Sequence, residues 1–228
     1  MKGDIKKMII HNKEKEIEAN AFMAEASKSD FNEIVEVYNS MYKKTNVFIA
    51  YEIVGSEHIL KYVSKIFEYF SAIIYKTFKN YKINLFITPS GYSADGVTLD
   101  YTDQFKCIDV GINMRKISEI DRLRHIEIII AHEMVHAYFC AYRRVHGPDD
   151  KYKQLLKEVK ELVKKDNGDV AKVCEELEKK LPAHYTDYLV DEEILCNVIA
   201  WKHLNKKLYN KCLDLFDRFR DDGLSWMM

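Results

Sequence analysis

Proline and glycine are scarce, at 3 and 8 of 228 residues. That excludes collagen-like and low-complexity chains and leaves few built-in breaks between elements. Long apolar runs are missing too. No segment approaches the roughly 18 uninterrupted apolar residues of a membrane span. The opening Met1-Lys2-Gly3-Asp4-Ile5-Lys6-Lys7-Met8-Ile9-Ile10 has only three apolar residues in a row before charge resumes. It lacks a signal-peptide core, so the expectation is a cytoplasmic protein without membrane association. No charge of one sign dominates: Lys+Arg is 35, Asp+Glu is 36, and the net charge is −1. This argues against a broad basic surface for nucleic acid, and the sequence offers only short basic groups such as Arg143-Arg144 and Lys206-Lys207. The five cysteines (107, 140, 174, 196 and 212) are odd in number and form no CxxC. A disulfide framework and a zinc ribbon are therefore excluded, and a reducing compartment with thiols packed in the core is expected.

What is present suffices for one sizeable core: 47% of residues are hydrophobic and 31% charged. Residues 4–44 read as two amphipathic helices, the second carrying Phe31, Ile34, Val35, Tyr38 and Met41 at helical spacing. Residues 46–54 are β-branched and aromatic, and suit a short strand. A long buried helix is expected over 56–79, with Ile59, Leu60, Val63, Ile66, Phe67, Phe70, Ile73 and Ile74 on its apolar face. Residues 83–88, 97–102 and 106–113 have strand character, separated by Pro89-Ser90-Gly91 and Asp103-Gln104. From 118 the pattern is helical. One helix opens at a capping box, Ser118-Glu119-Ile120-Asp121, and ends at His146 before Gly147-Pro148. Further helices are expected over 150–167, 169–181 and 190–220, with a loop at 182–188. The expected architecture is a single α+β domain, predominantly helical, with a small sheet of three to four strands ahead of the helix that ends at 146. Residues 1–45 form a helical N-terminal extension, 46–146 the sheet and its helix, and 149–228 a helical second half.

Chemistry is concentrated at His132-Glu133-Met134-Val135-His136. On a helix, residues i and i+4 leave the same face about one turn apart, so the two imidazoles can share one tetrahedral Zn²⁺. Glu133 is rotated about 100° from His132, beside the metal and not on it, which suits a base for a water activated there. The surroundings strengthen the pattern. Ile128-Ile129-Ile130-Ala131 leads in without a charge, and Ala137-Tyr138 follows. A solvated helix would show Lys or Glu at these places. The plainer alternative, two packed histidines, would leave Glu133 buried at a cost among apolar neighbours.

The stretch Ile129-Ile130-Ala131-His132-Glu133-Met134-Val135-His136-Ala137-Tyr138 resembles the active-site helix of the zincin metallopeptidases, and the order helix, strands, metal helix over 56–146 is similar to the zincin core. The resemblance implies a zinc-dependent metallopeptidase, a hydrolase acting on a peptide or protein, with Glu133 as general base. In that fold an extended substrate is added as a strand to a sheet edge above the metal helix. Two branches compete for the third ligand. In SprT/Spartan-like proteases a later His-Gly supplies it, and Val145-His146-Gly147 resembles that segment. In the gluzincins, including the ImmA/IrrE-like and lethal-factor-like groups, a Glu on a later helix does, and Asp191-Glu192-Glu193-Ile194-Leu195-Cys196-Asn197 resembles that helix. Glu193 is the preferred ligand. His146 lies ten residues beyond His136, about 15 Å along a continuous helix, and 137–145 contain nothing to break one. Glu192 stands in if the register differs by one. Asn197, four residues after Glu193, suits a hydrogen bond to a ligand imidazole.

The gluzincin resemblance also implies a Tyr or His ahead of the third ligand that donates to the oxyanion of the tetrahedral intermediate. His184, Tyr185 and Tyr188 stand there, and Tyr185 has the preferred spacing. Glu16-Ile17-Glu18-Ala19-Asn20-Ala21-Phe22 resembles a third-ligand helix but precedes the metal helix, and reads as a solvated amphipathic helix. Two alternatives differ in class from a general peptidase: a SprT-like protease of DNA-associated proteins, and a non-catalytic zincin-fold sensing or binding protein. Substrate specificity and oligomeric state are not legible.

Overall fold

A computed structural model of the chain describes residues 35–38, 45–49, 57–79, 81–88, 96–100, 107–113, 122–180, 187–202 and 204–220. The chain divides into two compact units, Met1–Arg144 and Val145–Met228. Among the described residues no helix is long and apolar enough to cross a membrane.

The first unit is built on a five-stranded sheet, in the order β1-β2-β3-β5-β4. Its strands are β1 (Val35–Tyr38), β2 (Thr45–Ile49), β3 (Lys82–Thr88), β4 (Gly96–Asp100) and β5 (Cys107–Asn113). β2 and β3 are parallel, as are β3 and β5, while β1 and β4 run antiparallel to their neighbours at the two edges. The parallel pair β2–β3 needs a crossover, and helix α1 (Glu57–Thr77) supplies it, lying against both strands. Three to four strands were expected. β1 makes the fifth, and it overturns the helix expected across Phe31–Met41. Val35-Glu36-Val37-Tyr38 satisfies either period over so short a length, and pairing with β2 decides for the strand.

Register aligns the sheet's apolar face. Ile83 pairs with Ile108 and Leu85 with Val110, and across the other side of β5 Val110 pairs with Thr98 and Ile112 with Gly96. Side chains two apart share a face, so these residues form one surface. Ile83, Leu85, Ile108, Val110 and Ile112 on it are buried. Helix α2 (Arg122–His146) meets this face at β4, and Phe78, just past α1, stacks on its Tyr138 with ring centroids 5.0 Å apart. The capping box at 118–121 and the N-terminal helix at 4–28 lie outside the described residues.

The second unit is helical: α3 (Asp150–Asp166), α4 (Asp169–Lys180), α5 (Asp187–Ala200) and α6 (Lys206–Arg220). Asp149 caps α3 by accepting from the Tyr152 amide at 2.9 Å, and Asn167 closes it in the left-handed conformation, φ 48°. Leu155, Leu156, Val159 and Val163 of α3 are buried, as are Leu208, Cys212, Leu213 and Phe216 of α6, with α5 packed on both helices. The single helix expected over 190–220 is two. Asn205 starts the second, its Oδ1 accepting from the Leu208 amide at 3.0 Å. An Asn cap carries a stop-and-start signal that hydrophobic spacing alone passes over.

Candidate metal centre

α2 exists as a buried helix because its sequence is apolar on nearly all sides. Ile126, Ile130, Met134, Val135, Ala137, Phe139, Cys140 and Ala141 have no exposed surface. The two histidines are half-buried at one margin of this helix. Their Nε2 atoms stand 3.2 Å apart and their ring centroids 4.9 Å apart. This separation fits a hydrogen bond between the rings if one nitrogen carries the proton. It equally fits joint ligation: two Zn–N bonds of about 2.05 Å at a tetrahedral angle hold their nitrogens about 3.3 Å apart. Two imidazoles are donors of the kind that first-row transition-metal ions take.

Glu133 turns toward the sheet. It is 7% exposed. The Thr98 hydroxyl of β4 lies 2.7 Å from its Oε2 and 2.9 Å from its own main-chain oxygen. Among the described residues, Thr98 is the hydrogen-bond donor to this carboxylate. Gly96, two residues earlier on the same face of β4, makes the approach feasible. A Cβ there would stand 2.7 Å from Glu133 Oε1 and 2.7 Å from Ile129 Cγ2. Neither Gly96 nor Thr98 was singled out by the sequence. A glycine inside a strand signals close approach of a neighbour, but not of which one.

α2 continues without a break to His146, which is exposed at the helix's last residue. In the second unit α5 carries Glu192, Glu193, Cys196 and Asn197. Glu192 is 1% exposed and accepts from the Tyr152 hydroxyl of α3. Glu193 is half-buried, Cys196 is buried, and Asn197 donates from Nδ2 to the Glu193 main-chain oxygen at 2.8 Å. Tyr188 is half-buried, with its ring 6.0 Å from that of Tyr152. His184 and Tyr185 lie outside the described residues. Compared with known proteins, the chain matches no family model and none of the curated proteins.

Proposed function

We propose that this chain is a zinc-dependent metallopeptidase of the zincin type. The observation that carries the reading is the His132–His136 pair, with nitrogens 3.2 Å apart on a helix that holds a buried carboxylate beside them. The antiparallel edge strand β4, lying over that helix, supports it, because an edge offers unpaired backbone groups to an extended peptide. His132 and His136 hold the metal, and the gluzincin resemblance assigns the third ligand to Glu193. The unbroken α2 disfavours His146, and with it the SprT-like branch. The bond from Tyr152 gives Glu192 a structural role. Cys196, three residues after Glu193, is the rival donor, since thiolates are good zinc ligands.

When bound, zinc supplies Lewis acidity and brings the pKa of a water down toward 7. Glu133 takes the proton of the attacking water as the C–O bond forms at the peptide carbonyl. It returns that proton to the leaving amine nitrogen as the C–N bond breaks, so the carboxylate ends as it began. Tyr185 donates to the oxyanion between those steps. An intact base argues for turnover over a purely binding role.

The test is metal analysis and hydrolysis of a fluorescence-quenched casein. Wild type and Glu133→Gln should each carry about one zinc, and hydrolysis should fall about 10²–10⁴-fold in the variant. Glu193→Ala should lose zinc while His146→Ala and Cys196→Ala retain it. Absence of zinc from wild type after zinc-supplemented purification overturns the metal. Wild-type turnover in Glu133→Gln overturns the base. Loss of zinc in Cys196→Ala with retention in Glu193→Ala moves the third ligand to the thiolate.

A further inference from the structure

We propose that strand β4 is the seat of the general base: Gly96 opens the space that the Glu133 carboxylate occupies, and Thr98 is the positioning residue that fixes it. This rests on the peptidase reading above and names two residues that the motif does not contain.

A glutamate side chain has three rotatable bonds, and fixing it costs conformational entropy unless something holds it. The helix backbone settles where Glu133 begins but not where its carboxylate ends. Thr98 settles that. Its hydroxyl has one proton and two acceptors within reach, Oε2 at 2.7 Å and the main-chain oxygen at 2.9 Å, both belonging to Glu133. Whichever takes the proton, β4 is tied to this one residue. Thr98 is itself 6% exposed, so water competes poorly for its hydroxyl. As a β-branched residue it has few side-chain rotamers, and a strand fixes its backbone. The carboxylate is thus held by a rigid donor on a rigid element, which is what a base needs if its oxygen is to meet the substrate's water in one geometry.

Gly96 does the complementary work. A side chain there would overlap Oε1, the Glu133 Cγ at 2.8 Å and Ile129. The atoms in the way are a buried side chain and the helix's own packing residue, so little can yield. Spacing of two puts Gly96 and Thr98 on one face of β4, one giving room and the other a bond. The same strand is the edge on which the peptide is proposed to lie. The base and the substrate would then be positioned by a single element, so that a shift of β4 moves both together.

A buried threonine bonded to a helix is also what ordinary packing would leave, so the test separates position from stability. Thr98→Val keeps shape and removes the hydroxyl. Thr98→Ser keeps the hydroxyl. In the full-length zinc-loaded protein, with fluorescence-quenched casein, Thr98→Val should lower kcat at least tenfold with KM and zinc content unchanged. Thr98→Ser should restore kcat to within about threefold of wild type. In a Glu133→Gln background Thr98→Val should lower the residual rate less than twofold. A readout without turnover is the urea midpoint of the metal-free protein. Thr98→Val should lower it in wild type and lower it by less than half as much in Glu133→Ala. Gly96→Ala should lower kcat with a retained circular-dichroism spectrum and unchanged zinc content. Wild-type kcat in folded Thr98→Val, or equal midpoint losses in the two backgrounds, overturns the seat. If wild type hydrolyses nothing, the peptidase reading fails, the positioning role falls with it, and the midpoints report only the hydrogen bond.

Discussion

The two units treat buried charge differently. In the second, the buried polar side chains among the described residues are tied to partners within the unit. Glu192 takes the Tyr152 phenol from the neighbouring helix. Arg220 reaches Asp217 at 3.3 Å and lies over the Phe216 ring at 5.6 Å. Asn197 bonds back to its own helix. In the first unit the buried carboxylate of Glu133 meets a strand hydroxyl, and the neighbouring His132 and His136 of the same helix are half-buried. A carboxylate pinned by a phenol between two helices is a structural bond. A carboxylate held at one oxygen by a strand hydroxyl, next in sequence to one of two histidines whose ring nitrogens stand 3.2 Å apart, is the one proposed to act as a base. On the proposed reading burial alone does not mark the base, because Glu192 is more buried than Glu133. What distinguishes them is the company each keeps.

Cys212 stands on α6, not on the helix of the proposed third ligand, and its thiol should be inert. Burial, then the neighbouring Cys174 and Asp166, push the Cys212 thiol up to about 12 from 9.0, with Lys211 acting the other way. Thiolate is therefore far scarcer in the folded state than in the unfolded one. Iodoacetamide at pH 8 should label Cys212 more slowly by about a hundredfold or more in the native protein than in urea. Labelling within tenfold of the unfolded rate would show an open interior. The same shift sets a sign for stability. The unfolded thiol loses its proton from about pH 9, while the folded one holds it until about 12. Its contribution is full below 9 and is lost as pH rises through that window, so stability falls there. Cys212→Val should flatten the fall in a urea series from pH 8 to 10.5.

Tyr152→Phe is the next sharpest probe. It removes the donor to a carboxylate that is 1% exposed and leaves the ring. The expected loss is about 1–3 kcal/mol, read from urea denaturation. Zinc content should not change. A midpoint equal to wild type would mean that Glu192 is satisfied without the phenol, and the contrast between the two carboxylates would weaken.

How much of this was legible follows from range. The histidine pair and Glu133 are a local pattern, fixed by the pitch of one helix, and can be read directly. β3, β4 and β5 were legible to within two residues because turn-forming residues bracket β-branched runs. β1 was not, because four residues fit a helical and a strand period alike and a partner strand decides. Thr98 and Glu133 are 35 residues apart. Their bond depends on how a strand lies over a helix, and no spacing rule covers that. Glu192 and Glu193 illustrate the same limit: burial and the bond to Tyr152, 40 residues away, tell the two neighbours apart.

The smallest expected effect lies at the break that hydrophobic spacing did not reveal. α6 begins with Lys206 and Lys207, two cations at the positive end of a helix dipole, where cations are disfavoured. Something must offset that, and Asn205 does so twice. Its Oδ1 accepts from the Leu208 amide at 3.0 Å, satisfying one of the helix's first free donors. Its Nδ2 donates to Asp166 Oδ2 at 2.6 Å, tying the start of α6 to the end of α3. Gly168 leaves the room for this, since a Cβ there would stand 2.7 Å from the same Asp166 oxygen. Asn205→Ala removes both bonds and should cost about 1 kcal/mol by urea denaturation. Asn205→Asp keeps the cap and adds a favourable charge at the helix start, but sets two carboxylates against each other where the amide bonded Asp166. The expected order of stability is wild type, then Asp, then Ala, with zinc content the same in all three. If Asp equals or exceeds wild type, the tie to Asp166 contributes nothing and the cap alone starts the helix. If Ala equals wild type, packing of Leu208, Cys212 and Phe216 sets the break without help from Asn205.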